Sequence, residues 1–136
     1  MTRVNAGIDP RTLHRAHLIA ELREITMVTT SLDRSLNTKT PKQIMSEIPK
    51  AFTLNGGHVK FFYNKLLYLR NRFMSLADEM ERRGYKPNRD RVEYFYGYPD
   101  IWYGDWNPTE KDNDIVRARI TERIAEKPHL YRDVLT

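Results

Sequence analysis

An amine and a carboxylate together can open a sugar without help from a metal or a thiol, and candidates for both lie near the start of this chain. Met1 is followed by Thr2, a small residue of the kind that permits removal of an initiator. Processing would expose the Thr2 α-amine, whose ordinary pKa of about 7.7–8.0 lies well below the roughly 10.4 of a lysine. Such an amine is partly unprotonated near neutral pH and can form a Schiff base with a sugar aldehyde carbon. The plain alternative is an ordinary chain terminus, since few termini take part in catalysis. The carboxylate candidate is Glu24, beside Arg23; His17, Glu21 and Glu24 recur at helical spacing and share one face. A neighbouring guanidinium favours the ionised carboxylate, although a solvated Arg-Glu pair would look the same in sequence. His58, just after Gly56-Gly57, reads as a capping or packing histidine at a helix start. Phe61-Phe62-Tyr63 reads as core rather than as a stacking platform.

Composition removes several other chemistries. The sequence has no cysteine, which excludes disulfides, thiolate metal sites and a cysteine nucleophile. The four histidines are scattered, and His14 and His17 are one residue too close for a His-x-x-x-His pair. No thiolate or histidine metal cage is therefore expected. No apolar run approaches the roughly 18 residues of a membrane span, and Met1-Thr2-Arg3-Val4-Asn5 lacks the apolar core of a signal peptide. A soluble, intracellular protein with no membrane partner is expected. The 23 basic and 18 acidic residues give a net charge of +5, compatible with a nucleic-acid partner. Residues 57–91 carry nine basic and four acidic side chains, an excess equal to that of the whole chain. One helix turning a basic side to phosphates would produce this pattern; so would a solvated basic face with no partner.

The elements that must position these groups read as helices. Asp9-Pro10 is a cap followed by a proline at the first helical position. Leu18, Leu22, Ile25, Leu32 and Leu36, with Thr29 filling the gap, then trace one apolar face of a long helix. Thr40-Pro41 repeats the cap signal for a short helix ending before Pro49. After the break at Asn55-Gly56-Gly57 comes a helix over residues 58–83, with Phe62, Leu66, Leu69, Phe73, Leu76 and Met80 on its apolar stripe. Residues 85–106 are rich in Tyr and Trp, interrupted by Gly97, Pro99 and Gly104, and read as a long loop. Asn107-Pro108 caps a third helix to about Lys127, with Ile115, Ile120 and Ile124 inward. The expectation is an all-α chain, residues 1–136 forming one compact domain of three main helices, a short helix and an aromatic-rich loop.

In this order, the pieces resemble the pyrimidine-dimer DNA glycosylases with abasic-site lyase activity, the viral-type endonuclease V family. Met1-Thr2-Arg3-Val4-Asn5 resembles the family's amino terminus, and His17-Leu18-Ile19-Ala20-Glu21-Leu22-Arg23-Glu24 its catalytic helix. Gly57-His58-Val59-Lys60-Phe61-Phe62-Tyr63-Asn64-Lys65, with Tyr68-Leu69-Arg70-Asn71-Arg72, is the most specific stretch. Ala118-Arg119-Ile120-Thr121-Glu122-Arg123-Ile124-Ala125 resembles the last helix. The resemblance implies excision of an ultraviolet-damaged pyrimidine from duplex DNA and strand cleavage through a Schiff base, by a monomer with no cofactor. It implies that Thr2 is the nucleophile and Glu24 the essential acid, with Arg3, His17, Arg23, Arg119 and Arg123 on the DNA. Arg123 stands where the family pattern has lysine, which keeps the charge and changes its geometry. Met27 replaces an arginine, and the aromatic tail is reduced to Tyr131; both bear on lesion preference. A glycosylase for another modified base and a non-catalytic DNA-binding helical module are the competing readings.

Overall fold

The computed structural model describes residues 3–132, so Thr2 lies outside the described residues. The described chain is all-α, as the patterning predicts, but its long helices are interrupted. Six α-helices follow one another: α1 (Arg15–Glu24), α2 (Met27–Leu36), α3 (Pro41–Glu47), α4 (His58–Phe61), α5 (Leu66–Arg82) and α6 (Glu110–Glu126). No helix among the described residues is long and apolar enough to cross a membrane.

Each interruption has a partner from elsewhere in the chain. Asp9 does cap a helix, but only the 3-10 turn Pro10–Thr12. Arg83, just past the end of α5, donates to the carbonyls of Pro10 and Leu13, and buried Leu13 leaves the helical path with extended backbone. The single long first helix expected from the apolar face is thus α1 and α2, joined at Ile25-Thr26. The expected helix over 58–83 divides at residues 62–65. There the Gly104 amide donates to the Asn64 carbonyl at 3.1 Å, and the Gly104 carbonyl accepts from Leu67 and Tyr68, capping the start of α5. A side chain at position 104 would put its β-carbon 2.5 Å from the Asn64 oxygen, so the close approach requires glycine. Gly57, which opens α4, has φ +97 and faces Pro49, a second position closed to a larger residue.

The apolar stripes behave as their spacing predicts. Leu18, Ile25, Val28 and Leu32 from the α1–α2 stretch meet Leu66, Leu69, Phe73 and Leu76 of α5 in one buried cluster. Each such side chain contributes roughly 1.5–3 kcal/mol by leaving water. The expected short helix is α3, where Thr40 and Gln43 form a reciprocal capping box. The aromatic segment is only partly a loop: it contains 3-10 helices at Arg89–Phe95 and Asp100–Trp102. Phe95 and Trp102 fill the core, whereas Tyr94 and Tyr96 stay exposed. The last helix departs from expectation. Val116 is its one buried residue, and Ile115 and Ile120 are only half-buried, because this face of α6 borders a cleft against α1.

Candidate active site

The cleft is built around the first described residues. Arg3, Val4 and Asn5 run between α1 and α4, each held by a different side chain. The Arg3 amide donates to Glu24 Oε1 at 3.0 Å. The Val4 amide donates to His58 Nε2 at 3.1 Å. The Asn5 side-chain amide donates to Glu21 Oε1 at 3.0 Å, and the Gly7 amide donates to the Tyr68 hydroxyl at 3.2 Å. Val4, Ala6 and Ile8 are buried between these bonds. The segment therefore has one register against the helices.

Glu21 and Arg72 anchor this arrangement from below. Glu21 is fully buried, and Arg72 grips it with two bonds, Nε to Oε2 at 2.8 Å and Nη2 to Oε1 at 3.0 Å. Arg72 also donates to the Ile8 carbonyl. Burial, the largest cause, would lower the Arg72 pKa, but the charge and hydrogen bonds of Glu21, with Tyr68 and Asp9, together outweigh it and hold the guanidinium above its ordinary range. Paired and hydrogen-bonded in this way, the buried carboxylate acts as a staple between the amino-terminal segment, α1 and α5. Helical spacing puts Glu21 and Glu24 on one face; their different surroundings leave only Glu24 a carboxylate open to the cleft. Glu24 keeps 16% of its side-chain surface, with Arg23 at 3.8 Å.

His58 occupies the opposite side of the segment. Its Nδ1 donates to the Thr53 carbonyl at 2.8 Å, which leaves Nε2 as the acceptor for Val4 and assigns the neutral tautomer. Burial, the largest cause, pushes its pKa down to about 4. An unfolded histidine titrates near 6.5, so between these values the unfolded chain binds the proton first. The contribution is intact above about pH 6.5, falls as the pH drops towards 4, and amounts to roughly 3 kcal/mol over that range. Chemical denaturation at pH 7 and pH 4.5 should show this loss, and His58→Gln should flatten it. An equal pH slope in both proteins would contradict the assignment.

Positive charge converges on the carboxylate from three elements. Arg3 precedes α1, Arg23 lies in it, and Arg119 and Arg123 come from α6. Arg3, His17, Glu24, Arg119 and Arg123 border a single cleft of about 300 Å³. Arg23 stands at its edge beside Glu24. The Arg3 pKa is lowered, first by burial and then by the charges of Arg119 and Arg123, with Glu24 opposing. Its Nη1 donates to the Leu54 carbonyl, while its Nε is buried with no hydrogen-bond partner. The His17 ring stacks on Tyr131, with centroids 4.5 Å apart, closing one wall.

Much of the basic excess of residues 57–91 is taken up by ion pairs within the fold. Arg72 is consumed by Glu21, Arg82 and Arg83 by Glu79, and Arg89 by Asp78 and Glu81. A segment's charge count does not reveal which of its charges find partners inside the fold. The cations that reach the cleft come from stretches with little net charge.

The cleft lining holds Glu24, the buried and paired Glu21 and several guanidinium groups, but no lysine. Lys65 has a pKa lowered by burial, yet its ammonium is bonded to the Phe61 carbonyl and Asn64 and borders no part of this cleft. A larger cavity of about 560 Å³ on the other side of Arg3 has no carboxylate in its lining. No group of three or more His, Asp or Glu side chains among the described residues is arranged to hold a metal ion. The described geometry thus joins five of the residues singled out in sequence at one cleft and Arg23 at its rim. Sequence reading gave no role to Asn5, Tyr68 or Arg72. The signals for them, a polar residue in an apolar run and an arginine on the edge of the α5 stripe, are commonplace in helical proteins and point to no particular site. The family model for pyrimidine dimer DNA glycosylases matches residues 1–93, well over half of the chain, and the chain belongs to that family. It is a DNA glycosylase that acts on pyrimidine dimers, with α6 and the cleft arginines Arg119 and Arg123 beyond the matched residues.

Proposed function

We propose that this member of the pyrimidine dimer DNA glycosylase family excises the damaged base with the Thr2 α-amine and then nicks the strand as an abasic-site lyase, residues 1–136 working as one monomeric domain. One observation carries the reading: the Arg3 amide rests on Glu24 at 3.0 Å. A free amine on the preceding residue is separated from that nitrogen only by its own α-carbon and carbonyl carbon. The absence of lysine from the cleft lining supports the same choice of nucleophile.

The chemistry follows from those two groups. The amine nitrogen bonds to the sugar carbon that carries the base, and the glycosidic bond breaks with its electron pair leaving on the base. Positive charge builds on the sugar, where the Glu24 carboxylate stabilises it. The nitrogen passes a proton to the departing base, and its freed lone pair then expels the ring oxygen, which takes up a proton, to form an imine. Glu24 removes a proton from the adjacent sugar carbon, the 3′ phosphate leaves, and the strand is cut. Water releases the enzyme from the imine. Arg3, Arg23, Arg119 and Arg123 hold the phosphates around the lesion, and His17 lines the wall through which the nucleotide enters. A damaged pair stacks poorly, so drawing its nucleotide out costs less than at an intact pair.

Duplexes of one sequence, carrying a cyclobutane dimer, an abasic site, an oxidised base or no lesion, test this directly. The dimer and abasic duplexes should be cut and the other two spared. Four phosphate-binding arginines should give log Kd against log salt a slope of roughly 3 to 4, about 0.9 for each neutralised phosphate. Salt-independent binding, or excision confined to the oxidised base, would overturn the proposal.

A further inference from the structure

The helix that carries Glu24 ends abruptly, and the group that ends it comes from the aromatic segment. In an uninterrupted helix the carbonyl of Arg23 would serve the amide of residue 27. Here it accepts from the Thr26 hydroxyl at 3.2 Å and from Arg91 Nη2 at 3.1 Å. The same Nη2 donates to the Thr26 hydroxyl at 2.6 Å, closing a three-membered network. Side chains inserted into the carbonyl ladder bend or stop a helix, and a cation at a helix carboxyl end is favoured by the helix dipole. Thr26 is buried, which fixes the hydroxyl at the centre of the network, while the Arg91 bond to the Arg23 carbonyl lies at the surface. Tyr94 lies beside the guanidinium, its ring centre 5.8 Å away. Arg91 Nε is buried without a hydrogen-bond partner, so the Nη2 contacts carry the orientation of the head.

The carbonyl gripped by Arg91 belongs to the peptide unit that joins Arg23 to Glu24. Glu24 is therefore held twice: its carboxylate by the Arg3 amide, and the peptide before it by a residue 68 positions away. We infer that Arg91 is a positioning residue for Glu24, fixing the last turn of α1 so that the carboxylate stays against the amino-terminal segment. The inference rests on the assignment of Glu24 proposed above. It also gives part of the 85–106 segment a task in the reaction, although Arg91 lines neither cavity around Arg3.

Steady-state kinetics on a duplex with one cyclobutane dimer test it, with Arg91→Ala, Arg91→Lys, Thr26→Val and Glu24→Gln compared. Displacing the turn should lower kcat of Arg91→Ala on the order of 10-fold to 100-fold, because small misplacements of reacting groups are costly. KM and the salt slope of binding should stay within about 2-fold, as no phosphate contact is lost. Thr26→Val, which removes the shared hydroxyl and leaves Arg91 in place, should lower kcat in the same manner by a smaller factor, and it serves as the probe if Arg91→Ala fails to fold. Arg91→Lys should restore part of the rate. Unchanged kcat in Arg91→Ala and Thr26→Val would overturn the inference. So would a raised KM with a salt slope reduced by about 1, which would make Arg91 a phosphate contact. Glu24→Gln separates the two levels: an active Glu24→Gln removes the acid assignment, whereas an inactive one beside a normal Arg91→Ala removes only the role of Arg91.

Discussion

Glu24→Gln is expected to reduce base excision by about 10²–10⁴-fold, the range typical of a positioned acid–base group, while duplex binding is retained or slightly strengthened. The reasoning depends on shape. Glutamine has nearly the size of glutamate, and its carbonyl oxygen can still accept from the Arg3 amide that now donates to Oε1 at 3.0 Å. The clamp on the amino-terminal segment should survive, and with it the fold. What disappears is the negative charge opposite a developing sugar cation, together with the base for the elimination step. The cleft would then hold Arg3, Arg119 and Arg123 with no ionised carboxylate facing them but buried, paired Glu21. Phosphate binding should not weaken. Single-turnover excision on dimer-containing duplex, measured alongside a binding titration, checks both halves. Excision at near the normal rate would show that another group stabilises the cation.

Blocking the amino terminus should have an effect of similar size by another route. A version that keeps Met1, or carries one added residue before Thr2, converts the proposed nucleophile into an amide nitrogen with no available lone pair. Strand cutting at an abasic site should fall by at least about 100-fold, because a nucleophile held in near-attack geometry is worth several powers of ten. The contacts of Val4 to His58 and of Asn5 to Glu21 lie beyond the altered residue, so melting temperature and duplex affinity should change little. A blocked protein that cuts abasic duplex at the normal rate would exclude the terminal amine.

The parts of this arrangement visible in the sequence are those set by local rules. Periodicity placed the buried faces of α1, α2 and α5, and Thr40-Pro41 marked the start of α3, because apolar spacing and capping act over one or two turns. His17, Glu21 and Glu24 could be put on one face for the same reason. The residue-level assignment of nucleophile and acid came instead from resemblance to a family, since a Met-Thr start and a mid-helix Arg-Glu pair are individually commonplace. The unread parts are long-range. Arg83 stops the first turn at Leu13, Arg91 ends α1, and Gly104 divides α4 from α5. Each cut falls where a group distant in sequence takes a backbone partner that local rules would assign to the helix. Burial of the Glu21–Arg72 pair is equally invisible, because the two residues are 51 positions apart. The ion partners of Arg72, Arg82, Arg83 and Arg89 could likewise not be counted until the helices were packed. Thr2 lies outside the described residues, so its role rests on the covalent link to Arg3 and on chemistry.

Borohydride reduction during turnover on an abasic duplex, followed by peptide mapping of the trapped complex, asks which nitrogen joins the sugar. A single adduct on the α-amine of Thr2, lost when that amine is capped, is the result expected. An adduct on Lys65 or any other lysine side chain, persisting in the capped protein, would contradict the assignment of the nucleophile.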